Sequence, residues 1–452
     1  MPAKGEHVSE RTPTWGIDPV PDRLRVLGAL DLTMLWGSLG VSLLVLVIGA
    51  FVLPGLTVGE ALLAVLLGSA IGNAMLGVAG SIGADGRVPA MVLLRAPLGR
   101  RGSYLPTTLN VAQCLGWATF ELIIIATAAA ALSEELFGVS AQALWTVGFG
   151  AVAALLAFLG PVGFVRRFVR RFAVYVVIAS LVYLTWWALD TPERDGLLSL
   201  GGGDGSVWLG IDLAIAVTVS WVPLAADYTR FARDRRSALV GTGLGYFMAG
   251  FWMLALGVVV FATRELGDVA QLPAAVVAAG IAAALALLAL LVDETDEAFA
   301  NIYSTALSLQ NALPRVPQRL LIGVASVVAT LAALSIDLRS YESFLLLLGS
   351  FFVPLFGVQL ADWLAAGTRY QPDDFFGGPA VRVAPIVAWL LGFATYHALH
   401  DPPLGPARWV DFVERIDPVT FGYGASLPSF AVSFALAFAA ATLRRRAGPS
   451  RT

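Results

Sequence analysis

The chain has 452 residues, 58% of them hydrophobic and only 13% charged. A soluble domain carries roughly 25% charged residues, so this composition excludes a water-soluble globular protein and indicates a polytopic helical membrane protein. The net charge of −3 says nothing about partners, and the single cysteine, Cys114, excludes an intramolecular disulfide and a cysteine metal cluster.

Met1 to Arg25 is polar, contains Pro13, Pro19 and Pro21, and lacks the short apolar core of a signal peptide. The first membrane helix is therefore expected to act as the targeting signal. Twelve spans follow, at about 30–53, 57–82, 104–132, 143–160, 172–189, 207–226, 240–263, 280–310, 319–337, 341–363, 383–400 and 425–443. Alternate loops differ sharply in charge. One side receives 24 of the 29 Lys and Arg residues, including Lys4, Arg11, Arg166, Arg167, Arg170, Arg171 and Arg451. The other holds only Arg194, Arg264, Arg339, Arg408 and Arg415. The rule that cytoplasmic loops are basic then puts both termini in the cytoplasm, in a cell membrane. The expected division is a cytoplasmic tail (1–28), a ten-helix core (29–365), two additional helices (366–443) and a short tail (444–452).

Span one is weakened by Gly37, Ser38, Gly40 and Ser42, and span six by Pro223. Interrupted helices five spans apart point to two inverted halves with a binding site near the midplane. Gly68, Gly72 and Gly80 in span two suit close helix contacts. On span three, Trp117 and Glu121 are four residues apart and share a face, with Gln113 one turn earlier. A flat apolar ring beside a charged acceptor suits a planar heteroaromatic ligand with exocyclic N–H donors. Gly241, Gly243 and Gly245 superficially resemble a dinucleotide loop but follow no strand.

Span eight contains Asp293-Glu294-Thr295-Asp296-Glu297 directly after an apolar run. Each carboxylate costs roughly 2.5–3.5 kcal/mol at a membrane centre, so the cluster must have partners there. Glu294, Glu297 and Asn301 form one stripe, Asp293 and Asp296 the adjacent one. One stripe can face substrate and the other a cation, either Na+ held by several oxygens or a proton on a carboxylate. The other placement would end the helix at Val292 and make the cluster a solvated cap. His397 and His400 on span eleven lack a third ligand. No zincin, P-loop or nucleophile elbow occurs, so catalysis has no support.

Three motifs resemble the nucleobase–cation symporters, closest to the cytosine-permease and hydroxymethylpyrimidine-transporter branch. They are Gly99-Arg100-Arg101-Gly102-Ser103-Tyr104-Leu105-Pro106 with Asn110, Gln113 and Gly116-Trp117; Pro223-Leu224-Ala225-Ala226-Asp227-Tyr228-Thr229-Arg230; and Ala300-Asn301-Ile302-Tyr303-Ser304. The resemblance runs over roughly 25–400. It implies an all-α leucine-transporter-like five-plus-five inverted repeat with broken helices one and six, and proton- or sodium-coupled uptake of a base stacked between aromatics of spans three and six. Trp117 matches the span-three aromatic, Glu121 sits where some members carry Gln, and Asn301 matches a substrate-contacting Asn. Trp221 stands for the span-six aromatic, with Thr218 as the other residue able to occupy that place. Ser220, Gln113 and Glu297 complete the expected substrate set. Trp36, Gly37, Leu39 and Gly40, with Thr295 and Asp296 in place of a hydroxyl pair, form the expected cation site.

A carboxylate at 121 favours cytosine or hydroxymethylpyrimidine over hydantoin-like ligands. No cofactor beyond a coupling ion, no nucleic acid, and a lipid-embedded monomer are expected. The main competing reading is an amino-acid symporter of the same fold, which would bind a substrate carboxylate on free N–H groups at the span-one break. A membrane enzyme would need a nucleophile or metal set, and a channel a symmetric ring of charge.

Overall fold

The computed structural model describes residues 16–159, 174–264, 266, 268–336, 341–400 and 424–446. Lys4, Arg11, Arg166, Arg167, Arg170, Arg171, Arg339, Arg408, Arg415 and Arg451 of the charge count lie outside the described residues. Among those described there is no β-strand, only two isolated bridges.

A helix or helix pair stands at each of the twelve expected positions. In chain order these are α1 (Ala29–Ser38) with α2 (Leu43–Val52), α3 (Val58–Gly86), α4 (Tyr104–Phe137), α5 (Gln142–Leu159) and α6 (Val174–Leu189). Then come α7 (Val207–Val219) with α8 (Val222–Thr229), α9 (Arg235–Thr263), the short α10 (Leu272–Ala278), α11 (Ile281–Ala312), α12 (Gln318–Ala333), α13 (Tyr341–Ala365), α14 (Val383–Leu399) and α15 (Ser426–Arg446). Seven of the described spans are long and apolar enough to cross a membrane, and the bent α1–α2 pair makes an eighth. Helix α11 runs unbroken for 32 residues through its acidic cluster. The alternative in which a helix ends at Val292 is thereby ruled out.

The two halves match in length. Helices α3 and α9 both have 29 residues, α4 and α11 have 34 and 32, and α5 and α12 have 18 and 16. Each of these helices packs against its own counterpart. That pairing is what an inverted repeat produces when its axis passes between equivalent helices.

Glycines set the approach distances. A Cβ at Gly68 would meet that of Ala214 at 2.6 Å, one at Gly72 would meet Thr218 at 2.8 Å, and one at Gly80 would meet Thr242 at 3.1 Å. The Gly241, Gly243 and Gly245 series is likewise a packing stripe, lying on Ala29, Asn73 and Thr33 backbone. The tightest crossing is α2 on α9, where added Cβ atoms at Gly49 and Gly257 would overlap Val258 and Leu46 backbone. Gly257→Val should therefore lower stability by about 1–3 kcal/mol. The thermal midpoint in detergent reads this directly, and an unchanged midpoint would rule out so close a crossing.

Arginines assigned to one side of the membrane by loop counting meet at one end of the molecule. A cleft of about 490 Å³ is lined by Arg25, Arg87, Arg233, Arg235 and Arg369 around Asp85. Asp85 pairs with Arg235 and accepts from the Trp363 indole (3.0 Å) and the Tyr370 N–H (2.9 Å). Asp362 pairs with Arg444, tying span twelve to span ten at the same end. At this end Asp234 caps α9, and bonds from the Ser237 N–H and hydroxyl hold its carboxyl below the usual range.

Candidate functional site

The span-one interruption begins with Ser42. Its side chain accepts from the N–H groups of Leu44 (3.1 Å) and Val45 (3.3 Å), the ordinary work of an N-cap, and so restarts a helix at Leu43. The two helices meet at 65°. The helix before the break continues through Gly37 and Ser38, so the irregular stretch is Leu39–Ser42, two residues later than the Gly37–Gly40 pattern suggests. The N-cap serine, more than the glycines, sets where the break falls. Of the expected cation-site residues, Trp36 and Gly37 are thus helical, and only Leu39 and Gly40 lie in the break.

Span six is interrupted less severely. Ser220 and Trp221 keep right-handed helical angles between α7 and α8. Pro223 sits in the first turn of α8, where its missing N–H costs nothing. The Ser220 hydroxyl donates to Val217 O (2.7 Å) and its carbonyl accepts from the Gln113 amide (2.9 Å). That amide also donates to Asn110 (2.7 Å), so Gln113 ties span three to the span-six interruption.

Across from the span-one break lies α11. Leu43 N–H donates to both Glu294 oxygens (2.8 and 3.0 Å), and the Ser42 hydroxyl donates to one of them (2.8 Å). A carboxylate at the N-terminus of a helix is favoured by the unpaired N–H groups and by the dipole. One turn on, Glu297 and Glu294 face Glu121 of α4: carboxylate oxygens of all three lie within 4.8 Å of one another, and all three side chains are buried. Neither oxygen of Glu121 meets an N–H or hydroxyl donor, nor does Oε1 of Glu297, and Glu121 has only the carboxyl groups of Glu294 and Glu297 beside it. Asp293, on the adjacent stripe, accepts from the Ser38 hydroxyl (3.1 Å), and both oxygens of the buried Asp296 are unpartnered. Both stripes thus reach span one, Glu294 at Leu43 and Ser42 and Asp293 at Ser38, while Glu294 and Glu297 also face Glu121 of span three. The Thr295 hydroxyl donates to Val292 O (2.7 Å) and the Asn301 amide to Glu297 O (3.1 Å), both within their own helix.

Aromatic rings wall the region. Trp117 packs edge-on to Tyr341 (5.6 Å between ring centres) and Phe344 (5.7 Å), and its indole N–H has no partner. Trp221 donates to the Tyr246 hydroxyl (2.9 Å) and meets Trp36 edge-on at 5.8 Å. Thr218, the other candidate for the span-six aromatic position, packs against Gly72 and donates to Ala214 O (3.1 Å). Tyr341, Phe344 and Tyr246 had no motif around them in the sequence. Glu294 was visible only as one member of its stripe. His397 meets Ser350 (3.1 Å) and packs on Phe393, as a buried helix-contact residue does.

The family of permeases for cytosine and purines, uracil, thiamine and allantoin matches residues 19–403. The hydantoin permease of Microbacterium maritypicum is 24% identical over 370 residues, covering 76% of this chain and 74% of that protein. The cytosine permease of Escherichia coli strain K12 is 25% identical over 394 residues, covering 84% and 88%. A solved nucleobase-cation-symport-1 family transporter, closed with bromovinylhydantoin bound, superposes with a TM-score of 0.74 at 20% identity, covering 95% of this chain and 94% of that one. At that identity the likeness establishes the fold, and it agrees with the paired halves and the broken first helix. The chain belongs to the cytosine, purine, uracil, thiamine and allantoin permease family, as a multi-pass membrane transporter and not an enzyme.

Proposed function

We propose that the protein imports a nucleobase or related pyrimidine, cytosine or hydroxymethylpyrimidine, across the cell membrane by alternating access, coupled to H+ or Na+, with both termini cytoplasmic. The observation that carries this reading is Glu121: fully buried, both oxygens without an N–H or hydroxyl donor, one helical turn from the unpartnered indole of Trp117. A buried polar group left unpaired costs about 1–3 kcal/mol, so the pair is built for a ligand that supplies hydrogen-bonding groups and a flat face. An aminopyrimidine edge offers both. In this reading Trp117, Glu121, Gln113, Ser220, Trp221, Glu297 and Asn301 surround the base. Trp36, Gly37, Leu39, Gly40, Thr295 and Asp296 serve the coupling ion. Residues 29–365 form the transport core, 366–443 add two helices, and the transporter works as a monomer.

The competing amino-acid reading needs free N–H groups at the span-one break. Those of Leu43, Leu44 and Val45 are occupied by Glu294 and Ser42. The cytosine and hydantoin permeases among the relatives also support a planar nitrogen heterocycle.

Competition against labelled cytosine by hydroxymethylpyrimidine, hypoxanthine, uracil, allantoin and a set of amino acids, with and without sodium, tests this reading. The aminopyrimidines should displace the label and the amino acids should not. Sodium-enhanced binding would assign Na+ as the coupling ion; binding that follows pH alone would assign the proton. Displacement by an amino acid, or failure of every base, overturns the proposal.

A further inference from the structure

Glu121, Glu294 and Glu297 bring carboxylate oxygens within 4.8 Å of one another in the protein interior. None of the three makes an ion pair with Lys, Arg or His among the described residues, and the charged groups that act most strongly on each are the other carboxylates. Asp293 and Asp296 add two more carboxyl groups on the next stripe. Like charges so close repel strongly in a low-dielectric setting, and any positive charge placed among them relieves the repulsion.

The three glutamates are not equivalent. Glu294 spends both oxygens on Leu43 and Ser42, so its charge is already met by a helix N-terminus. Glu121 meets no N–H or hydroxyl donor, only the carboxyl groups of Glu294 and Glu297, and Glu297 keeps one oxygen without a bond. Two acceptors from facing helices thus stand ready for a group that donates in two directions at once.

The surroundings choose among cations. A hard metal ion wants a shell of six or so oxygens. Here the neighbours are the rings of Trp117 and Tyr341, and the spare polar atom of Trp117 is an N–H donor, which offers a metal no ligand. Tyr341 and Tyr246 both lie within electrostatic reach of all three glutamates. Aromatic faces beside paired carboxylates suit a flat organic cation, through cation–π attraction and charge-assisted hydrogen bonds.

We propose that the substrate is taken up as a planar organic cation with an amidine-type edge, such as an aminopyrimidinium, held by Glu121 and Glu297 as its counter-charges while Glu294 stays bound to the span-one half-helix. This deepens the base-transport reading and rests on it.

The test uses the purified full-length protein in detergent, with benzamidinium as the planar cation and benzamide as its near-isosteric neutral control, read by displacement of labelled cytosine and by tryptophan fluorescence. Benzamidinium should bind roughly 10- to 100-fold more tightly than benzamide, the gap expected for one charge-assisted contact. Glu121→Gln and Glu297→Gln should each erase most of that preference, with folding checked by thermal midpoint. Equal binding of the two probes, or no binding of benzamidinium, while cytosine still binds, overturns the cation inference and leaves base transport standing. Displacement of benzamidinium by manganese chloride alone also overturns it, by making the triad a metal site. Binding of benzamidinium with loss in Glu121→Gln, but no binding of cytosine or hydroxymethylpyrimidine, keeps the cation pocket and removes the nucleobase reading.

Discussion

Glu121→Gln is expected to reduce uptake of labelled cytosine by roughly 10- to 100-fold, the range for losing a charge-assisted contact. The side chain keeps its size and stays on the same face of α4, so packing against α11 is retained. What is lost is the second acceptor: an amide offers one oxygen and one NH2 where the carboxylate offers two oxygens. A ring-protonated aminopyrimidine edge, which donates from both its amino group and its ring N–H, is then met by a donor on one side. Trp117→Ala should reduce uptake by a similar factor, because base–aromatic stacking is worth about 1–3 kcal/mol per base. The two losses should differ in kind. Glu121→Gln should alter the ranking of ligands, moving it toward rings that offer a carbonyl, whereas Trp117→Ala should weaken all flat ligands together. Initial uptake rates in cells or proteoliposomes, normalised to the amount of folded transporter, measure both. Unchanged transport in both variants would remove this pocket from consideration.

Much of this arrangement could be read from the chain. The apolar runs and alternating loop arginines placed twelve spans. The same argument put Asp293–Glu297 inside span eight, where α11 carries it without a break. The i, i+4 spacing put Trp117 and Glu121 on one face, and the spacing of span eight separated two stripes, of which the Glu294–Glu297 stripe meets Glu121 while both reach span one. Three features were not legible, each for a physical reason. The contact of Glu294 with Leu43 joins positions 251 residues apart, and no pattern within one helix reports a partner on another. The span-one break was displaced toward Ser42 because a serine N-cap outweighs glycine in deciding where a helix starts. Tyr341 and Phe344 are aromatics in an apolar membrane helix, where nothing local distinguishes a pocket wall from a lipid-facing ring.

The contact that sequence could not foresee carries the other large expected effect. Glu294→Ala strips the acceptor from the buried Leu43 N–H and the Ser42 hydroxyl. At about 1–3 kcal/mol for each of the two orphaned groups, stability should fall by roughly 2–6 kcal/mol. Uptake should fall with it, because the angle between α1 and α2 is held from this point. The variant also creates a vacant space about as large as a small carboxylate, facing a helix N-terminus that favours anions. Added formate or acetate should therefore recover part of the lost thermal midpoint, while chloride at the same ionic strength should not. Glu294→Gln should lie between the two, since its amide oxygen can still accept from Leu43 and its NH2 can donate to Ser42. A midpoint for Glu294→Ala equal to that of the parent, or one insensitive to formate, would mean that Glu294 does not fill this half-helix. The span-one N–H groups would then be free for a substrate carboxylate, and the case against an amino-acid symporter would lose its main support. Rescue by formate would instead mean that the protein supplies its own anion at the place where a carboxylate substrate would bind. That leaves Glu121 and Glu297, which need donors and positive charge, to select what is carried.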